Sequence, residues 1–474
     1  MNNKKRRVIL NSLLPLILMT VSVASPLQAL AVAGDPDGSQ SMQLSGAVTI
    51  ADDEVDKVSK DILADEIEIL QCTTNFRNQY TKPDKWKKRR TTLYQIAASG
   101  MANGGDITLQ TQFWHYNRNV ANALKNRGRL EAGLIPVIAA YAAVIAAYSG
   151  ELVFDQYSDM KVRHKHLDSK STLQKVEQLD ASIKKLKEQR ALLLAKCPDQ
   201  QCREFYTAEA KILDDCHNLI LADFSRLYVD YKKRHAVRDL TSLGTIAVGA
   251  TGLPATIQVL RGIQMTNIKK IGGGGISFIV SAGILTVAPE LFEGGGRLAA
   301  AGARHQISEA FGQLQGATMA QMQTDAGDLV KLATRPGVKL GPSMSGRVEA
   351  YRLTEDILAG RQHKLDAEAI AARRKFVADV ISYGIRGGCQ IGWGTLIANG
   401  GYKYYNKPNV ALKRVAQAST VNQVSWGSWM MEALFTGCSN EISNYKHGLE
   451  PDYDPFQTNG PKLEAMRNSL HKGL

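Results

Sequence analysis

The residues most able to carry chemistry are dispersed along this sequence. None of the nine histidines lies in a His-Glu-x-x-His motif or joins a Cys-x-x-Cys pair in the pattern of a zinc site. The chain contains no Gly-x-Ser-x-Gly nucleophile motif and no Gly-x-x-x-x-Gly-Lys-[Ser/Thr] phosphate loop. The glycine run that begins at Gly272 lacks the following lysine that a phosphate loop needs. We therefore expect a non-enzymatic protein with no metal and no cofactor.

One pair of opposite charges stands out because it interrupts an apolar segment. Asp379 and Arg386 are seven residues apart, about two helical turns, which places them on one face of a helix. If the segment spans lipid, they form a candidate intramembrane charge pair, which would face a partner helix or an aqueous path. In the alternative, both lie at the membrane interface and the apolar stretch begins at Gly387.

The six cysteines suit an oxidising compartment. Cys197 and Cys202 enclose a short polar turn, and Pro198 cannot continue the preceding helix in a regular way. The chain must fold back there, so we predict a disulfide between Cys197 and Cys202 at the tip of a helical hairpin.

The first 33 residues are typical of an export signal. A basic start with Lys4, Lys5, Arg6 and Arg7 precedes an apolar run and two small-residue cleavage patterns. An uncleaved N-terminal anchor is the alternative. The formal net charge of the whole chain is +13, and in an exported protein this charge favours contact with anionic lipid and not with nucleic acid.

Four apolar segments follow this leader, at about 132–150, 240–260, 271–289 and 376–402. The first three carry no charge and approach the ~20 residues needed to cross a hydrocarbon core. The sequence around them is helical in pattern, so we predict an all-α fold. The low mean hydropathy of −0.20 favours the alternative that these segments are core helices of a soluble protein.

The remaining sequence divides around these segments. We predict an amphipathic and basic helical region at residues 34–131. Residues 403–474 contain two tryptophans and are predicted to end in an irregular tail. Residues 151–239 and 290–375 are predicted to form two long antiparallel helical hairpins. In the first hairpin, a seam of apolar residues at heptad spacing is interrupted by Arg190.

Glycine is frequent in the apolar segments although it costs about 1 kcal/mol relative to alanine inside a water-soluble helix. In lipid, small residues let helix backbones approach each other closely. Gly388 and Gly392 have the small-x-x-x-small spacing of such contacts. We predict that they mediate helix association and that the protein forms a homo-oligomer.

The order of apolar segments and helical excursions, with cysteines in the excursions, loosely resembles tetraspanin-like four-span membrane proteins. The resemblance covers topology alone, since the paired-cysteine-glycine signature of animal tetraspanins is absent. A second resemblance is to α-helical pore-forming toxins, with 240–289 as the hairpin that inserts on assembly. Both resemblances imply self-association.

These patterns favour a self-assembling membrane protein of the cell envelope, in the form of a ring or a pore. The alternatives are a secreted pore-former that is soluble before assembly and a soluble periplasmic protein. Orientation stays open: four spans after signal cleavage would put both hairpins in the cytoplasm, whereas Arg127 and Arg129 argue for the reverse.

Overall fold

The computed structural model describes residues 48–50, 53–81, 85–196, 200–312, 318–335, 338–340, 342–447 and 455–472. The predicted signal peptide lies outside these residues. The described chain is almost entirely α-helical, as predicted. Its elements are β1 (Val48–Ile50), α1 (Asp53–Thr81), α2 (Lys85–Arg118), α3 (Arg127–His164), α4 (Ser169–Lys196), α5 (Gln200–Gln264), α6 (Ile268–Phe311), α7 (Met319–Ala333), β2 (Val338–Leu340), α8 (Pro342–Lys403), α9 (Pro408–His447) and α10 (Pro455–Lys472).

The helices form two separate hydrophobic cores. The first core, which we call the head, is built by α1, α4, α7 and α10 with the adjoining parts of α5, α6 and α8. The second core, which we call the bundle, is built by α2, α3 and α9 with the other ends of α5, α6 and α8. Helices α5, α6 and α8 therefore run through both cores. At 1.5 Å per residue, the 65 residues of α5 extend about 100 Å.

The first predicted hairpin is present as α4 and the first part of α5. Three contacts show the antiparallel pairing: Arg190 with Glu209 at 2.8 Å, Lys187 with Asp214 at 2.7 Å, and Asp180 with His217 at 2.9 Å. Helix α1 packs along both helices and completes the core. Its buried side chains recur at helical spacing, as an amphipathic helix requires: Val55, Val58, Ile62 and Ile69.

The predicted irregular tail is wrong for residues 455–472, which form α10. Leu463, Met466 and Leu470 are buried at i, i+3 and i+7 and pack into the head. Arg467 also pairs with Glu68 of α1 at 3.1 Å. These three apolar residues are too few to give a clear helical pattern in a segment rich in proline and polar residues. They are buried because α10 packs against the head.

The described strands are a small exception to the all-α prediction. β1 and β2 pair in parallel over three residues each, with Val48 opposite Val338 and Ile50 opposite Leu340. Both are rich in β-branched or aliphatic residues. They join the start of the described chain to the turn that precedes α8.

Three described helical stretches are long and apolar enough to cross a membrane: Arg127–Lys196, which contains α3, Cys202–Gln264 in α5, and Ile268–Phe311 in α6. The fourth predicted segment, 376–402, belongs to α8 and does not meet that criterion. Its charges at Asp379 and Arg386 and its many glycines lower its hydropathy. It nevertheless lies in the bundle, where Trp393 and Ile397 are buried.

Glycine backbones bring α6 and α8 into direct contact. Gly387, Gly394 and Gly401 of α8 recur every seven residues and face α6. A Cβ atom on Gly394 would lie 2.7 Å from the carbonyl oxygen of Gly275, and one on Gly275 would lie 2.6 Å from that of Gly394. No side chain fits between these two helices at their crossing.

We predict that Gly275→Ala destabilises the protein by about 1 to 3 kcal/mol, because the added methyl group must push α8 away. The control Gly283→Ala is in the same helix, where a Cβ atom would meet nothing within 4 Å. This control should keep or slightly raise stability, since alanine favours helix over glycine. Thermal unfolding of the detergent-solubilised proteins, followed by circular dichroism, compares them. Equal melting temperatures for the two variants would contradict the contact.

Candidate functional site

Arg386, one member of the predicted charge pair, faces a neighbouring helix. Arg386 is buried and pairs with Glu432 of α9 at 3.4 Å, and its guanidinium lies over the Tyr383 ring at 4.2 Å from the centroid. Ser382 donates a hydrogen bond to the same Glu432 carboxylate at 2.5 Å. Asp379 is two turns away, about 10 Å along the helix, so a neighbouring helix offers the nearer partner. The intramembrane charge pair of Asp379 and Arg386 stays a prediction, and Glu432 was missed as the ion-pair partner of Arg386.

The predicted association glycines point in different directions. A Cβ atom on Gly388 would meet nothing within 4 Å, and Gly388 is exposed on the outer face of α8. A Cβ atom on Gly392 would lie 3.3 Å from Val421 of α9, so this glycine faces a helix of the same chain. Gly384 shares the exposed face of Gly388, one turn earlier. The outer pair Gly384 and Gly388 is thus the one accessible to a second molecule.

The predicted disulfide stays a prediction, because Cys197 lies outside the described residues. Cys202 is buried near the start of α5. Three of the other described cysteines, Cys72, Cys216 and Cys389, are free thiols.

The bundle carries a wide apolar outer surface. The windows of highest hydropathy in the three apolar stretches are only 39%, 33% and 50% buried inside the protein. The remainder faces outward, together with large apolar side chains of α2, α8 and α9. By contrast, α1, α4 and α7 expose just two described large apolar side chains, Leu192 and Val330. Representative exposed side chains of the bundle are Ile107, Trp114, Ile135, Leu243, Val280, Val287, Ile381, Val424 and Phe435.

Charged residues border this apolar surface at both ends. In α3 and α6, 19 charge-free residues separate the two borders, which corresponds to about 28 Å along a helix. At the head side, the border contains ion pairs, such as Arg90 with Glu151 at 2.8 Å and Lys233 with Glu293 at 2.7 Å. The spacing matches the ~30 Å hydrocarbon core of a bilayer.

The opposite end of the bundle is strongly basic. It consists of three turns, 118–131, 261–270 and 403–414, which together contain eleven lysines and arginines and one acidic residue, Glu131. The turns touch: the Leu124 amide donates to the Asn409 side chain at 2.9 Å, and Lys269 lies over the Tyr405 ring at 5.3 Å from the centroid. They form one surface, which we call the basic end.

One acidic residue lies inside the bundle, far from both borders. Asp106 of α2 is fully buried and accepts a hydrogen bond from the Asn422 amide of α9 at 2.7 Å. The Tyr141 hydroxyl of α3 is close enough to interact electrostatically with this carboxyl. The Tyr141 ring contacts Trp426, with centroids 5.2 Å apart. We call these four residues the Asp106 cluster.

Sequence reasoning missed the Asp106 cluster, although a signal was present. Between Arg90 and Arg118, Asp106 is the single Asp, Glu, Lys or Arg, in a segment that was assigned to a basic N-terminal region. A lone acid in a long uncharged helix is expensive in lipid and marks a functional candidate. Asp106 could be recognised as a lone acid in lipid only once α2 was known to belong to the bundle.

The head also buries charge, and there the charges are paired. Glu209 accepts hydrogen bonds from Arg190 at 2.8 Å, Arg347 at 2.7 Å and Tyr351 at 3.0 Å. Burial alone would raise the pKa of Glu209, but the two guanidiniums hold it below its usual value. Arg190 is the residue that interrupts the apolar seam of α4, so the interruption is explained by this network.

Glu66 is the exception in the head. Complete burial raises its pKa to about 8, with the Cys216 thiol beside it and Lys187 lowering the value only partly. Its neighbour Glu68 is half-buried, and its hydrogen bond and ion pair with Lys175 outweigh burial and lower its pKa. Among the described residues, no group of three or more His, Cys, Asp or Glu side chains could hold a metal ion.

No family model, no curated protein and no solved structure matches this chain. The resemblances to tetraspanin-like proteins and to pore-forming toxins therefore stay resemblances of topology.

We predict that Glu66→Gln removes a pH dependence of stability. In the unfolded chain Glu66 loses its proton near pH 4.5 and in the folded chain near pH 8, so its contribution to stability is lost as pH rises between these values. The wild-type free energy of unfolding should fall by about 1.4 kcal/mol per pH unit more than that of the variant in this window. Denaturant unfolding at several pH values measures the difference.

The control is Glu68→Gln, in the same turn of α1. Because the pKa of Glu68 is lowered, its contribution to stability is constant at neutral pH and is lost only in acid. This variant should keep the wild-type slope above pH 5. Parallel slopes for Glu66→Gln and wild type would contradict the raised pKa.

Proposed function

We propose that this chain is a non-enzymatic integral membrane protein of the cell envelope, with the bundle in lipid and the head in water. The observation that carries the proposal is the apolar outer surface of the bundle, about 28 Å long and bordered by charge at both ends. Exposing so much apolar area to water would be costly, at roughly 25 cal/mol per Å².

The same observation weighs against the alternatives. In a soluble periplasmic protein, the apolar segments would be core helices, yet half or more of each apolar window faces outward. In a pore-former that is soluble before assembly, the hairpin 240–289 would be covered. Here Leu243, Ile276, Val280 and Val287 of that hairpin are all about half exposed.

Six helices run the length of the bundle, two more than the four predicted apolar segments. Helices α2 and α9 accompany α3, α5, α6 and α8, and both expose large apolar side chains such as Leu93 and Phe435. With six crossings, α1, α10 and both hairpins lie on the same side of the membrane. Cleavage of the predicted signal then leaves the hairpins outside, which agrees with Arg127 and Arg129 at the opposite end, whereas the basic run 232–238 on the head side favours the reverse.

The basic end supports this orientation. Lysine and arginine in short loops accumulate on the cytoplasmic side of inner membranes. The turns 118–131, 261–270 and 403–414 are short and hold eleven basic residues. We infer that the basic end is cytoplasmic and that the head is in the oxidising compartment, where the predicted disulfide between Cys197 and Cys202 could form.

We further propose that the protein self-assembles through the exposed small-residue face of α8. Gly384 and Gly388 lie on that face with open space above them. In lipid, apolar side chains give no hydrophobic drive to associate, so close backbone approach at small residues is a principal source of attraction. A ring or a pore is one form that such contacts can build.

We predict that the protein stays with the membrane pellet after alkaline carbonate extraction, because lipid-embedded helices resist conditions that release peripheral proteins. Native membranes from the producing cell are extracted, and both fractions are probed for the full-length chain. Recovery of the chain in the soluble fraction would refute the hypothesis that it is an integral membrane protein. It would favour a soluble periplasmic protein or a pore-former that is soluble before assembly.

We predict that Gly384→Leu/Gly388→Leu abolishes crosslinked oligomers while membrane retention is unchanged. The new leucines cover the exposed face of α8 and meet no atom of their own chain at the Cβ position. Crosslinking in native membranes measures assembly.

The control Gly283→Leu/Gly427→Leu adds the same two leucines to α6 and α9, at positions that are equally open around the Cβ atom. It should preserve the oligomer ladder. A ladder unaltered by Gly384→Leu/Gly388→Leu would refute this interface, and a wild type without a ladder would refute self-association.

A further inference from the structure

We propose that Asp106 is a proton-binding site, which exchanges its proton with water at the head side of the bundle. The inference rests on the proposed function, since it assigns chemistry to a bundle that lies in lipid. Proton uptake converts the Asp106 carboxylate into a carboxylic acid, and release returns the proton to water, with no other bond made or broken.

The position of Asp106 favours the neutral acid. Apart from Asp106, the bundle stretches 91–117, 132–150, 240–260, 271–289, 387–402 and 415–431 contain no Asp, Glu, Lys or Arg. Asp106 is fully buried, and its recorded hydrogen-bond partner is the neutral Asn422 amide. An isolated carboxylate in such surroundings is very costly, and a bound proton removes that cost.

The cluster around Asp106 has unused hydrogen-bonding capacity. Four buried polar atoms have no hydrogen-bond partner among the described residues: Asp106 Oδ1, Tyr141 hydroxyl, Asn422 Oδ1 and Trp426 Nε1. Buried polar groups are normally satisfied, so a cluster of exceptions calls for an explanation, of which a functional role is one and bound water is another. Here donors and acceptors surround a carboxyl group that can supply or accept one proton.

A polar line leads from the cluster to the head side. On α2, Gln95, Ser99 and Asn103 precede Asp106 at steps of one turn, on the same face. Gln95 donates to the Tyr148 hydroxyl at 3.1 Å. Tyr148 in turn lies within electrostatic range of Arg386 and Glu432 at the head-side border. The Ser99 hydroxyl and the Asn103 carbonyl are buried without partners among the described residues.

Towards the basic end, the core around α2 is mostly apolar. Leu109, Leu134 and Val415 are each at most 1% exposed there, although Gln112 of α2 is a buried polar side chain beyond Asp106. On α2, the line of polar side chains at one-turn steps thus lies on the head side of Asp106. This asymmetry assigns the head side as the entrance for the proton.

The experiment uses dicyclohexylcarbodiimide, a lipid-soluble reagent that modifies protonated carboxyl groups in apolar surroundings. The full-length protein in phosphatidylcholine nanodiscs is labelled, and the peptide that contains residue 106 is analysed by mass spectrometry. We expect labelling of Asp106 at neutral pH and a fall of severalfold as the pH is raised to about 10, because the reagent needs the protonated acid. Asp106→Asn should remove the label from this peptide.

Two substitutions, one on each side of Asp106, test the route by which its proton exchanges with water. Ser99→Val removes a hydroxyl on the head side of Asp106, and Gln110→Leu removes a polar group one turn beyond Asp106, towards the basic end. After a jump to high pH, the loss of labelling should be severalfold slower in Ser99→Val than in wild type, and unchanged in Gln110→Leu. Equal rates in all three proteins would refute the head-side route.

The remaining outcomes are also decisive. Absence of labelling at Asp106, or labelling that is constant from about pH 6 to about pH 10, would overturn the proposal and leave a structural hydrogen bond with Asn422. Protection by sodium chloride at constant pH, compared with choline chloride, would replace the proton by a sodium ion. If carbonate extraction releases the protein, the same labelling is carried out in solution without nanodiscs, because Asp106 is buried inside the protein itself.

Discussion

The contact between the backbones of α6 and α8 is the constraint on which the rest of the structure depends. At Gly275 and Gly394 the two helices approach so closely that neither position accepts a side chain. Gly274 directly precedes Gly275 in α6, and a Cβ atom on Gly274 would lie 2.8 Å from the carbonyl oxygen of Ala255 in α5. Three helices are therefore fixed to each other within the bundle, and all three continue into the head.

The head depends on this alignment because its buried charges join the same long helices. Arg347 of α8 must reach Glu209 of α5, and Arg361 of α8 reaches Asp223 of α5 at 3.0 Å. A shift of one helix by a single residue would move these groups by about 1.5 Å and rotate them away from each other. Unpaired buried charge is strongly destabilising, so the network tolerates one alignment. Glycine contacts in the bundle and ion pairs in the head therefore specify the same helix register.

What could be predicted from the sequence was local. The spacing of Val55, Val58 and Ile62 predicted α1, and charge-free length predicted the apolar segments of α3, α5 and α6. Both signals belong to one helix and need no partner. Helix α10 was not predicted, because its few apolar residues lie in a polar segment and become buried only when they pack against the head.

The parts that could not be predicted depend on which face of one helix meets another. Gly388 and Gly392 have the familiar spacing, yet the contacts use Gly387, Gly394 and Gly401, one face of α8 with a period of seven. A four-residue motif cannot report which face is turned inward. Glu432 was missed for the same reason, since it is 46 residues from Arg386 and lies on a different helix. Asp106 was missed because α2 alone carries no sign that it belongs to the bundle.

The two ends of the bundle differ in chemistry, and this difference gives the molecule a direction. The head-side border contains acids as well as bases, in pairs such as Arg386 with Glu432, whereas the basic end holds eleven basic residues and one acid. If the bundle lies in lipid as proposed, the basic end resists translocation and stays on the side from which the chain is inserted. The polar line on α2 opens towards the head-side border, where Glu432 is about one third exposed. On our proposal, a proton reaches Asp106 from the side of the head, so the proposed orientation and the proposed proton access follow from one asymmetry.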